Sequence, residues 1–542
     1  MGLFLRMNKK ATFFLLFSIV IIASVLRLYK LGSIPPSISW DEAAVGYNAY
    51  TIAHWGRDEW GRVFPLIFKS FEDYKNPVHV YATVPFVGLF GLSELTTRLS
   101  AALFGIGNVI LIYFLATVLF NSSFVGIIAS FVLAISPYNI QFSRFNHELN
   151  FAVFFFSLGL LFFLKAIKGN SKLLIASFFC FGIDLLTYQS AKVVTPPLVL
   201  FLILLNLKDL LRTKRMFLAS FLTYLLFVSL FFIEPELLGT ARLRQNTISE
   251  GAIEGSYLYE RSSNYFLGLG NVVFDRYKLY FQNDFLFDKG DSLPRHSAQI
   301  VGTFYKIDGF FLVIGLISLL VRMLRKRDKY VIFLIAWAVI APLPAAATSS
   351  FAHAARAMFM TISWHLVVAY GVYSVAMLLR RKLLVGIFLV LIFLLMTLPL
   401  GRYVKYYFEE YPEKYAIEWQ YGMKQIVEYM IENPDYYKVY VDKERHQPYI
   451  FFLFYLKYPL PDFLATVKYD KTESKSYNAV LSFDRYQFGG WNWIESYPAN
   501  GIAYILEPSK YTGLRFMNDF SVAKLIKYPN RENAFYVLAG EW

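Results

Sequence analysis

The sequence predicts a polytopic α-helical membrane protein that ends in a soluble α/β domain. Of its 542 residues, 56% are hydrophobic and only 17% are charged, a composition that excludes an ordinary soluble chain of three or four domains. The apolar residues are also clustered into nearly charge-free segments, most of them close to the roughly 20 residues that span a bilayer as a helix. Ten such segments are evident: 11–26, 99–119, 148–164, 172–190, 193–207, 216–233, 307–321, 330–347, 357–378 and 383–400.

The basic residues are concentrated in five short stretches beside the apolar segments. These stretches hold eighteen Lys and Arg against only Asp209 and Asp328, while the net charge of the whole chain is +14. This distribution follows the positive-inside rule of membrane proteins, so we predict no nucleic-acid partner. The basic residues are Arg6, Lys9 and Lys10; Lys165, Lys168 and Lys172; Lys208, Arg212, Lys214 and Arg215; Arg322, Arg325, Lys326, Arg327 and Lys329; Arg380, Arg381 and Lys382.

The positive-inside rule also predicts the topology, with the basic stretches on the cytoplasmic side of the plasma membrane. Segment 11–26 is predicted to be a retained first helix, because no small-residue cleavage site follows it. The N-terminus is then cytoplasmic, residues 30–77 and 234–306 form outer loops, and the chain after residue 400 lies outside.

The number of helices has two predicted values. Four apolar segments lie between the first outer loop and the next cytoplasmic connector: 78–92, 99–119, 124–138 and 148–164. A passage from outside to inside needs an odd number of crossings. Either 78–92, which is short and contains Pro85, is re-entrant, or a further short helix lies near 138–150. The predicted total is therefore 11 or 13 transmembrane helices.

Residues 1–400 are predicted to form the membrane module, and residues 401–542 an extracytoplasmic α/β domain of ordinary domain length. The expected helices of this domain are Pro412–Asn433, which ends at an Asn-Pro pair, and Tyr449–Tyr458. Its expected strands, separated by polar turns, are Tyr437–Val441, Tyr477–Phe483, Gly501–Leu506 and Ala534–Leu538.

Two adjacent carboxylates, Asp41 and Glu42, are the strongest chemical signal in the first outer loop. They follow a Pro-Pro turn and Trp40, at the predicted start of an amphipathic helix. In the structural interpretation, Asp41 is the helix N-cap and Glu42 interacts with the helix dipole. In the functional interpretation, a carboxylate held near the low dielectric of the membrane has a raised pKa and becomes a useful base for a hydroxyl group.

Three further polar groups map to the same outer side. Lys75 precedes an apolar segment, where it either extends to the interface or binds a lipid phosphate. Arg144 and Glu148 are four residues apart, as in an ordinary helical ion pair, but charges at membrane depth are costly and usually mark functional sites. His353 and Arg356 either anchor the chain at the interface or bind an anionic headgroup. An enzyme that acts on a lipid-borne substrate needs its site at this surface.

These residues resemble the membrane glycosyltransferases of family 39, which have the GT-C fold. The family includes protein O-mannosyltransferases and aminoarabinose transferases that act on lipid A. The similarity rests on Asp41-Glu42, Lys75-Asn76-Pro77, and Arg144 with Glu148, and it covers roughly residues 11–400. The match is partial at Asn76, where the family has the first proline of a Lys-Pro-Pro-like motif. The stretch from His353 to Arg356 resembles a His-Ala-Leu-Arg motif of bacterial members, with Ala355 in place of Leu.

The resemblance implies transfer of a sugar from a polyprenyl-phosphate donor to a hydroxyl of a protein, lipid or glycan acceptor, with inversion at the anomeric carbon. Asp41 would be the catalytic base, and Lys75 and Arg356, with Arg144, would stabilise the departing phosphate. Glu42 and Glu148 would orient the acceptor or a cation. A divalent cation could bridge carboxylates and phosphate, although no spacing in the sequence demands a metal or any other cofactor.

A transporter or flippase of lipid-linked saccharides is the alternative function. Such proteins usually carry charges near the membrane midplane and are built from repeated halves. Here the charges map to the outer surface and the halves do not resemble each other. A membrane scaffold is a third class, but it leaves the group of Asp41, Glu42 and Lys75 unexplained. The sequence does not predict which sugar or acceptor is used, because these depend on the shape of the pocket.

Overall fold

The computed structural model describes residues 7–71, 73–239, 248–379, 381–442, 447–470, 480–490, 499–514 and 517–540. Arg6 and Arg380 of the predicted basic stretches, and residues 477–479 of one predicted strand, lie outside this part of the chain.

Every predicted apolar segment contains an α-helix. Their bounds are Lys9–Leu28, Pro77–Phe90, Glu94–Phe120, Ser123–Ala134, Leu149–Ile167, Leu173–Leu185, Gln189–Leu205, Lys214–Ile233, Lys306–Lys326, Lys329–Ile340 with Leu343–Thr348, Met360–Leu378 and Lys382–Glu409. Within the described residues, eight helices are long and apolar enough to cross a membrane alone, and three apolar helices are shorter. The predicted multi-pass, mostly helical fold is confirmed, while the totals of 11 and 13 stay predictions.

A bent pair of helices occupies the region where the topology left two solutions. Ser123–Ala134 is followed by Pro137–Ser143 at an angle of 61°, and the two together are long enough for one span. The second helix corresponds to the additional helix considered near 138–150. Its seven residues rise only about 10 Å, so it does not cross a membrane by itself.

The buried side chain of Arg27 explains why the bend is stable. Its guanidinium donates to the carbonyl oxygens of Leu133 (3.2 Å) and Ala134 (2.9 Å), and to Asn139 Oδ1 (2.6 Å) beyond the bend. These carbonyls lie at the end of a helix, where the regular helical bonding stops, and the Leu133 oxygen also accepts the amide of Ser136 at 3.3 Å. Arg27 therefore adds hydrogen bonds on both sides of the bend.

The chain divides into two compact units. One, which we call the membrane unit, comprises Met1–Tyr29 and Ala101–Lys405. The other, the sheet unit, comprises Lys30–Ser100 and Tyr406–Trp542. The first outer loop thus belongs to the same unit as the C-terminal segment, whereas the sequence suggested that residues 401–542 stand alone.

A shared hydrophobic core explains this grouping. Helix Trp40–Trp55 is buried around most of its circumference, and Ala43, Ala44 and Tyr47 are fully buried together with residues of helix Tyr449–Leu456. Tyr47 also donates its hydroxyl to the carbonyl oxygen of Tyr458 at 2.9 Å. The predicted amphipathic pattern therefore does not match the burial of this helix, which is packed on most of its sides. In the sheet unit its partners come from the distant C-terminal segment.

The described residues of the sheet unit form nine strands in two sheets. Strands β1 (Phe68–Ser70) and β2 (Asp73–Lys75) form an antiparallel hairpin. The second sheet has the order β4-β5-β6-β3-β7-β9-β8, in which β3 is parallel to β6 and β7 and the other neighbours are antiparallel. Its strands are β3 (Lys438–Asp442), β4 (Lys468–Tyr469), β5 (Val480–Phe483), β6 (Tyr486–Gly489), β7 (Ile502–Leu506), β8 (Phe520–Lys527) and β9 (Asn533–Gly540).

The predicted secondary structure of this sheet is right in part. Strands β3, β5, β7 and β9 and the helix Tyr449–Leu456 are confirmed, whereas β4, β6 and β8 were missed. The single helix predicted over Pro412–Asn433 is wrong, because the structure has three separate helical pieces: Tyr411–Lys414, Ala416–Trp419 and Met423–Glu432. The first break lies at Tyr415 (φ −117°, ψ 21°), outside the helical conformation. The second contains Gln420 (φ 51°) and Gly422 (φ 107°), whose left-handed backbone cannot continue a helix.

Candidate active site

Helix Trp40–Trp55 begins with a capping box that separates the roles of the two adjacent carboxylates. Ser39 Oγ accepts the amide of Glu42 (3.3 Å), and Glu42 Oε2 accepts the amide of Ser39 (3.1 Å). The N-cap is therefore Ser39, and the interpretation that placed Asp41 there is wrong. Glu42 faces inward at the third helical position, and Asp41 lies on the other side of the first turn.

Glu42 is fully buried against Arg98. The Arg98 guanidinium donates to both Glu42 oxygens, from Nε at 2.9 Å and from Nη2 at 3.3 Å, and both side chains are inaccessible to solvent. Arg98 also donates to the backbone carbonyls of Leu31 (3.1 Å), Pro35 (2.9 Å) and Ser37. The pair thus ties the loop before the helix to the start of helix Glu94–Phe120. These contacts fit a structural brace better than a group that meets substrate.

Asp41 lies at the surface of the same helical turn and is paired with Lys75. Lys75 Nζ donates to Asp41 Oδ1, and 44% of the Asp41 side chain is exposed, against 7% for Lys75. Lys75 ends β2 opposite Phe68, and its ammonium lies 5.2 Å from the centre of the Phe71 ring. Asp41 has the positive end of a helix dipole behind it. The arrangement offers an accessible carboxylate beside a buried ammonium, and the predicted roles of Asp41 and Lys75 stay predictions.

In the membrane unit, Arg144 is buried and contacts the end of the first helix. Its guanidinium donates to the carbonyl oxygens of Leu26 (2.9 Å) and Tyr29 (2.7 Å). A guanidinium at a helix C-terminus satisfies carbonyls that have no partner within the helix. Glu148 lies near His147, with Nδ1 and Oε2 separated by 2.9 Å. The predicted substrate-binding roles of Arg144 and Glu148 stay predictions.

His353 belongs to a cluster that the sequence did not predict. Asp291 Oδ2 lies 3.0 Å from His296 Nδ1 and 3.7 Å from His353 Nδ1, and it also accepts the amide of Ala354 at 2.7 Å. One ligand atom from each of these three side chains lies within 4.8 Å of the other two. His353 Nδ1 is buried without a hydrogen-bond partner in the described part of the chain.

The protonation of this cluster suits a divalent cation. Burial, together with the neighbouring His296, lowers the pKa of His353 to about 3. Burial also lowers the pKa of His296, and the hydrogen bond from His296 holds the pKa of Asp291 low although burial opposes it. At pH 7 the cluster thus presents two neutral imidazoles and one carboxylate, the ligand forms that zinc requires. The predicted role of His353 in binding an anionic headgroup stays a prediction.

Arg356 lines a separate cavity of about 340 Å³ in the membrane unit. Lys192 contributes a second cation to the lining, and apolar walls come from Val193, Leu238 and Pro344. Arg356 is held by a bond from Nη1 to the carbonyl oxygen of Thr348 (2.5 Å), and Lys192 by Gln189 Oε1 (2.8 Å). Two cations beside apolar walls are suited to an amphiphilic anion.

Three important residues escaped the sequence analysis. Arg98 directly precedes the apolar segment 99–119, and a charge at the head of a span is a signal that could have found it. Asp291 and His296 lie in the long outer loop without a recognisable metal-binding spacing. Only the fold brings them to His353, so no local pattern could have found them.

The fold defines a class: a multi-pass membrane protein with the GT-C fold of membrane glycosyltransferases. Residues 74–233, which include Lys75, Arg144 and Glu148, match the family described as Dolichyl-phosphate-mannose-protein mannosyltransferase. Over 143 residues the chain is 33% identical to YkcB of Bacillus subtilis (strain 168), a protein whose name marks it as a candidate mannosyltransferase. That alignment covers 26% of this chain and 20% of YkcB.

Two solved structures share the fold. ArnT from Cupriavidus metallidurans bound to undecaprenyl phosphate gives a TM-score of 0.58 at 14% identity, over 99% of this chain and all of that one. The Archaeoglobus fulgidus oligosaccharyltransferase gives 0.53 at 15% identity, over 82% of this chain and 64% of that chain. At these identities the likeness shows the fold alone. Together with the family match, it confirms the predicted GT-C fold and the resemblance to family 39.

Proposed function

We propose that this protein transfers a sugar from a polyprenyl-phosphate donor to a hydroxyl group of a protein, lipid or glycan acceptor. One observation carries the proposal: of two adjacent carboxylates, only Asp41 is accessible, and it is bonded to the buried ammonium of Lys75. A base and a cation for a leaving phosphate thus lie side by side. The related family and the lipid-bound ArnT structure add support.

In the proposed reaction, Asp41 removes the proton from the acceptor hydroxyl as its oxygen attacks the anomeric carbon. The bond between that carbon and the donor phosphate oxygen breaks, and the configuration inverts. The charge that develops on the departing phosphate is stabilised by Lys75, which β2 and the Phe71 ring hold in place. Glu42 acts as a brace, because Arg98 and Ser39 occupy its oxygens.

The cavity beside Arg356 is a proposed site for the anionic head of a polyprenyl lipid. Arg356 and Lys192 supply positive charge, and the apolar walls suit a prenyl chain. We also propose the predicted orientation, with a cytoplasmic N-terminus and an extracytoplasmic sheet unit, because the basic stretches follow the positive-inside rule.

Transfer from a panel of labelled polyprenyl-phosphate sugars to extracts of host lipid and protein tests this proposal, using the purified full-length protein in detergent. We expect label to move from one donor to an acceptor fraction. Proteoliposomes loaded with the same donors provide the comparison for the alternative function. Translocation of lipid-linked sugar without any transfer would contradict the enzyme and support a flippase.

We further propose that Asp291, His296 and His353 hold a divalent cation, which would supply positive charge for binding anions. At a Zn²⁺ concentration roughly 100 times the dissociation constant, the free energy of unfolding should rise by about 2.7 kcal/mol. Because burial lowers the pKa of both His353 and His296, the rise should be similar at pH 7 and pH 8. Thermal unfolding with and without Zn²⁺, after treatment with a chelator, measures it.

The double variant His296→Ala with His353→Ala should lose the response to zinc. His54→Ala serves as the matched control, since His54 is an exposed histidine on helix Trp40–Trp55 of the sheet unit. An unchanged zinc response in the double variant would remove the proposed metal site.

A further inference from the structure

The loop from Arg57 to Arg62 buries two adjacent carboxyl groups in the sheet unit. Asp58 and Glu59 are each only 1% exposed. Asp58 Oδ1 accepts the amides of Trp60 (3.0 Å) and Arg62 (2.8 Å), which closes the loop into a tight turn. The amide of Glu59 donates to Asn48 Oδ1 at 2.9 Å, so the loop is docked on the helix that carries Asp41.

The Glu59 side chain is poorly satisfied as an anion. Oε1 accepts one hydrogen bond from Trp60 Nε1 (3.2 Å) and a long one from the Tyr449 hydroxyl (3.5 Å). Oε2 is buried and has no hydrogen-bond partner among the described residues. A buried carboxylate needs several donors or a cation to remain ionised. The surroundings of Glu59 therefore favour the protonated acid.

The electrostatic environment agrees with this geometry. Burial, with a smaller contribution from the charge of Asp58, raises the pKa of Glu59 to about 8, while the ammonium of Lys75 acts in the opposite direction. The geometry links the two groups through two aromatic rings: the Tyr449 hydroxyl bonds Glu59, the Tyr449 ring lies 6.2 Å from the Phe71 ring, and the Lys75 ammonium lies 5.2 Å from the Phe71 ring. The titratable groups that influence Glu59 or respond to it are Asp58 in its own loop, Tyr47 on the helix, Lys69 and Lys75 on the hairpin, and Tyr449 and Tyr469 in the C-terminal segment.

Charge balance gives this acid a role in the site. With Glu59 protonated, the ion pair of Asp41 and Lys75 adds no net charge to its surroundings. When Glu59 loses its proton, these surroundings gain one further negative charge beside that of Asp58. A phosphate group then meets repulsion in addition to competition for the ammonium of Lys75.

We propose that Glu59 is a positioning residue for Lys75, which by keeping its proton leaves the Lys75 ammonium to Asp41 and to a phosphate group. The site therefore has an alkaline limit: phosphate binding weakens when Glu59 ionises. This inference rests on the proposed function, because it takes Lys75 as the cation for a lipid phosphate.

The test compares the affinity of the full-length protein for undecaprenyl phosphate in detergent at pH 7 and pH 9. The variants are wild type, Glu59→Gln and Glu432→Gln. The amide keeps the size of Glu59 and stays neutral at both pH values, and Glu432 is an exposed glutamate of the same unit. Raising the pH from 7 to 9 should weaken the binding of undecaprenyl phosphate in all three proteins. We expect the loss of affinity to be about tenfold larger in wild type and in Glu432→Gln than in Glu59→Gln. The lipid phosphate also ionises with pH, but this affects all three proteins equally and therefore does not change the difference between them.

Thermal unfolding provides a second readout that does not depend on the lipid. A carboxyl whose pKa is higher in the folded protein than in the unfolded protein stabilises the fold at low pH. This contribution is complete below the pKa of the unfolded protein, about 4.3 for Glu, and it is lost as the pH rises through the pKa of the folded protein. The unfolding midpoint of wild type should therefore fall more steeply from pH 5 to pH 8 than that of Glu59→Gln.

The outcomes separate this inference from the proposed function. Equal pH dependence of lipid affinity in wild type and Glu59→Gln, with binding intact, would overturn the role of Glu59 and leave the transferase untouched. Parallel unfolding curves would overturn it as well, since Glu59 would then be ionised at neutral pH. If none of the three proteins binds undecaprenyl phosphate at either pH, the lipid-phosphate site fails, and the inference fails with it.

Discussion

Replacing Asp41 with Asn is expected to reduce sugar transfer by about 10²–10⁴-fold, because an amide cannot accept the proton of the acceptor hydroxyl. The stability of the protein should hardly change. The Asp41 side chain is 44% exposed, and the amide oxygen of Asn can still accept the hydrogen bond from the buried Lys75 ammonium. Transfer assays with the donor found in the panel, alongside a thermal unfolding curve, measure both quantities.

Asp462→Asn is the matched control for this prediction. Asp462 is an exposed acid in the first turn of helix Leu460–Thr466, as Asp41 is in the first turn of its own helix. The control should transfer sugar at the wild-type rate. If Asp41→Asn also transfers at the wild-type rate, Asp41 is not the base and the proposed mechanism loses its central residue.

The second large effect concerns stability. Replacing Arg98 with Met should lower the free energy of unfolding by about 3–5 kcal/mol, because it leaves the buried Glu42 carboxylate without its counter-charge. The substitution also removes the donors to Leu31, Pro35 and Ser37, which hold the loop before the helix. Thermal or denaturant unfolding of the purified protein measures this loss. Transfer should fall as well, since Asp41 lies in the same helical turn.

A double variant tests whether the unpaired Glu42 carboxylate causes the loss of stability in Arg98→Met. Adding Glu42→Gln to Arg98→Met removes the unpaired charge, so the double variant should be more stable than Arg98→Met alone. Additive losses from the two substitutions would contradict this explanation, since partners in one buried pair are expected to couple. Arg261→Met serves as a control, because Arg261 is an exposed arginine of the membrane unit.

Local patterns explain why so much of the helical fold was predictable. A membrane helix requires about 20 consecutive apolar residues, and this condition can be checked within one continuous segment of the sequence. Every apolar segment found in the sequence contains a helix in the structure. The short strands of the sheet unit carry a weaker local signal. Strand β4 has only two residues, and β6 only four, so their positions depend on pairing with distant strands.

The candidate site was predictable as a region but not as a set of roles. The sequence indicated that Asp41, Glu42 and Lys75 belong to a polar group in the first outer loop. It did not distinguish the two acids, since both are carboxylates at adjacent positions and the sequence does not show which of them is buried. The difference arises from a partner 56 residues away: Arg98 buries Glu42, while Asp41 remains exposed.

The sequence by itself determined the class of the protein: its apolar segments, its basic stretches and the acidic pair predicted a membrane protein of the GT-C type. The tertiary structure decided which residues share an environment. It joined residues 30–100 to the C-terminal segment through one hydrophobic core, brought Asp291 and His296 to His353, and buried Glu59 beside the helix of Asp41. The physical reason is that hydropathy is a property of each segment, whereas burial, charge pairing and pKa depend on neighbours that only the folded chain supplies.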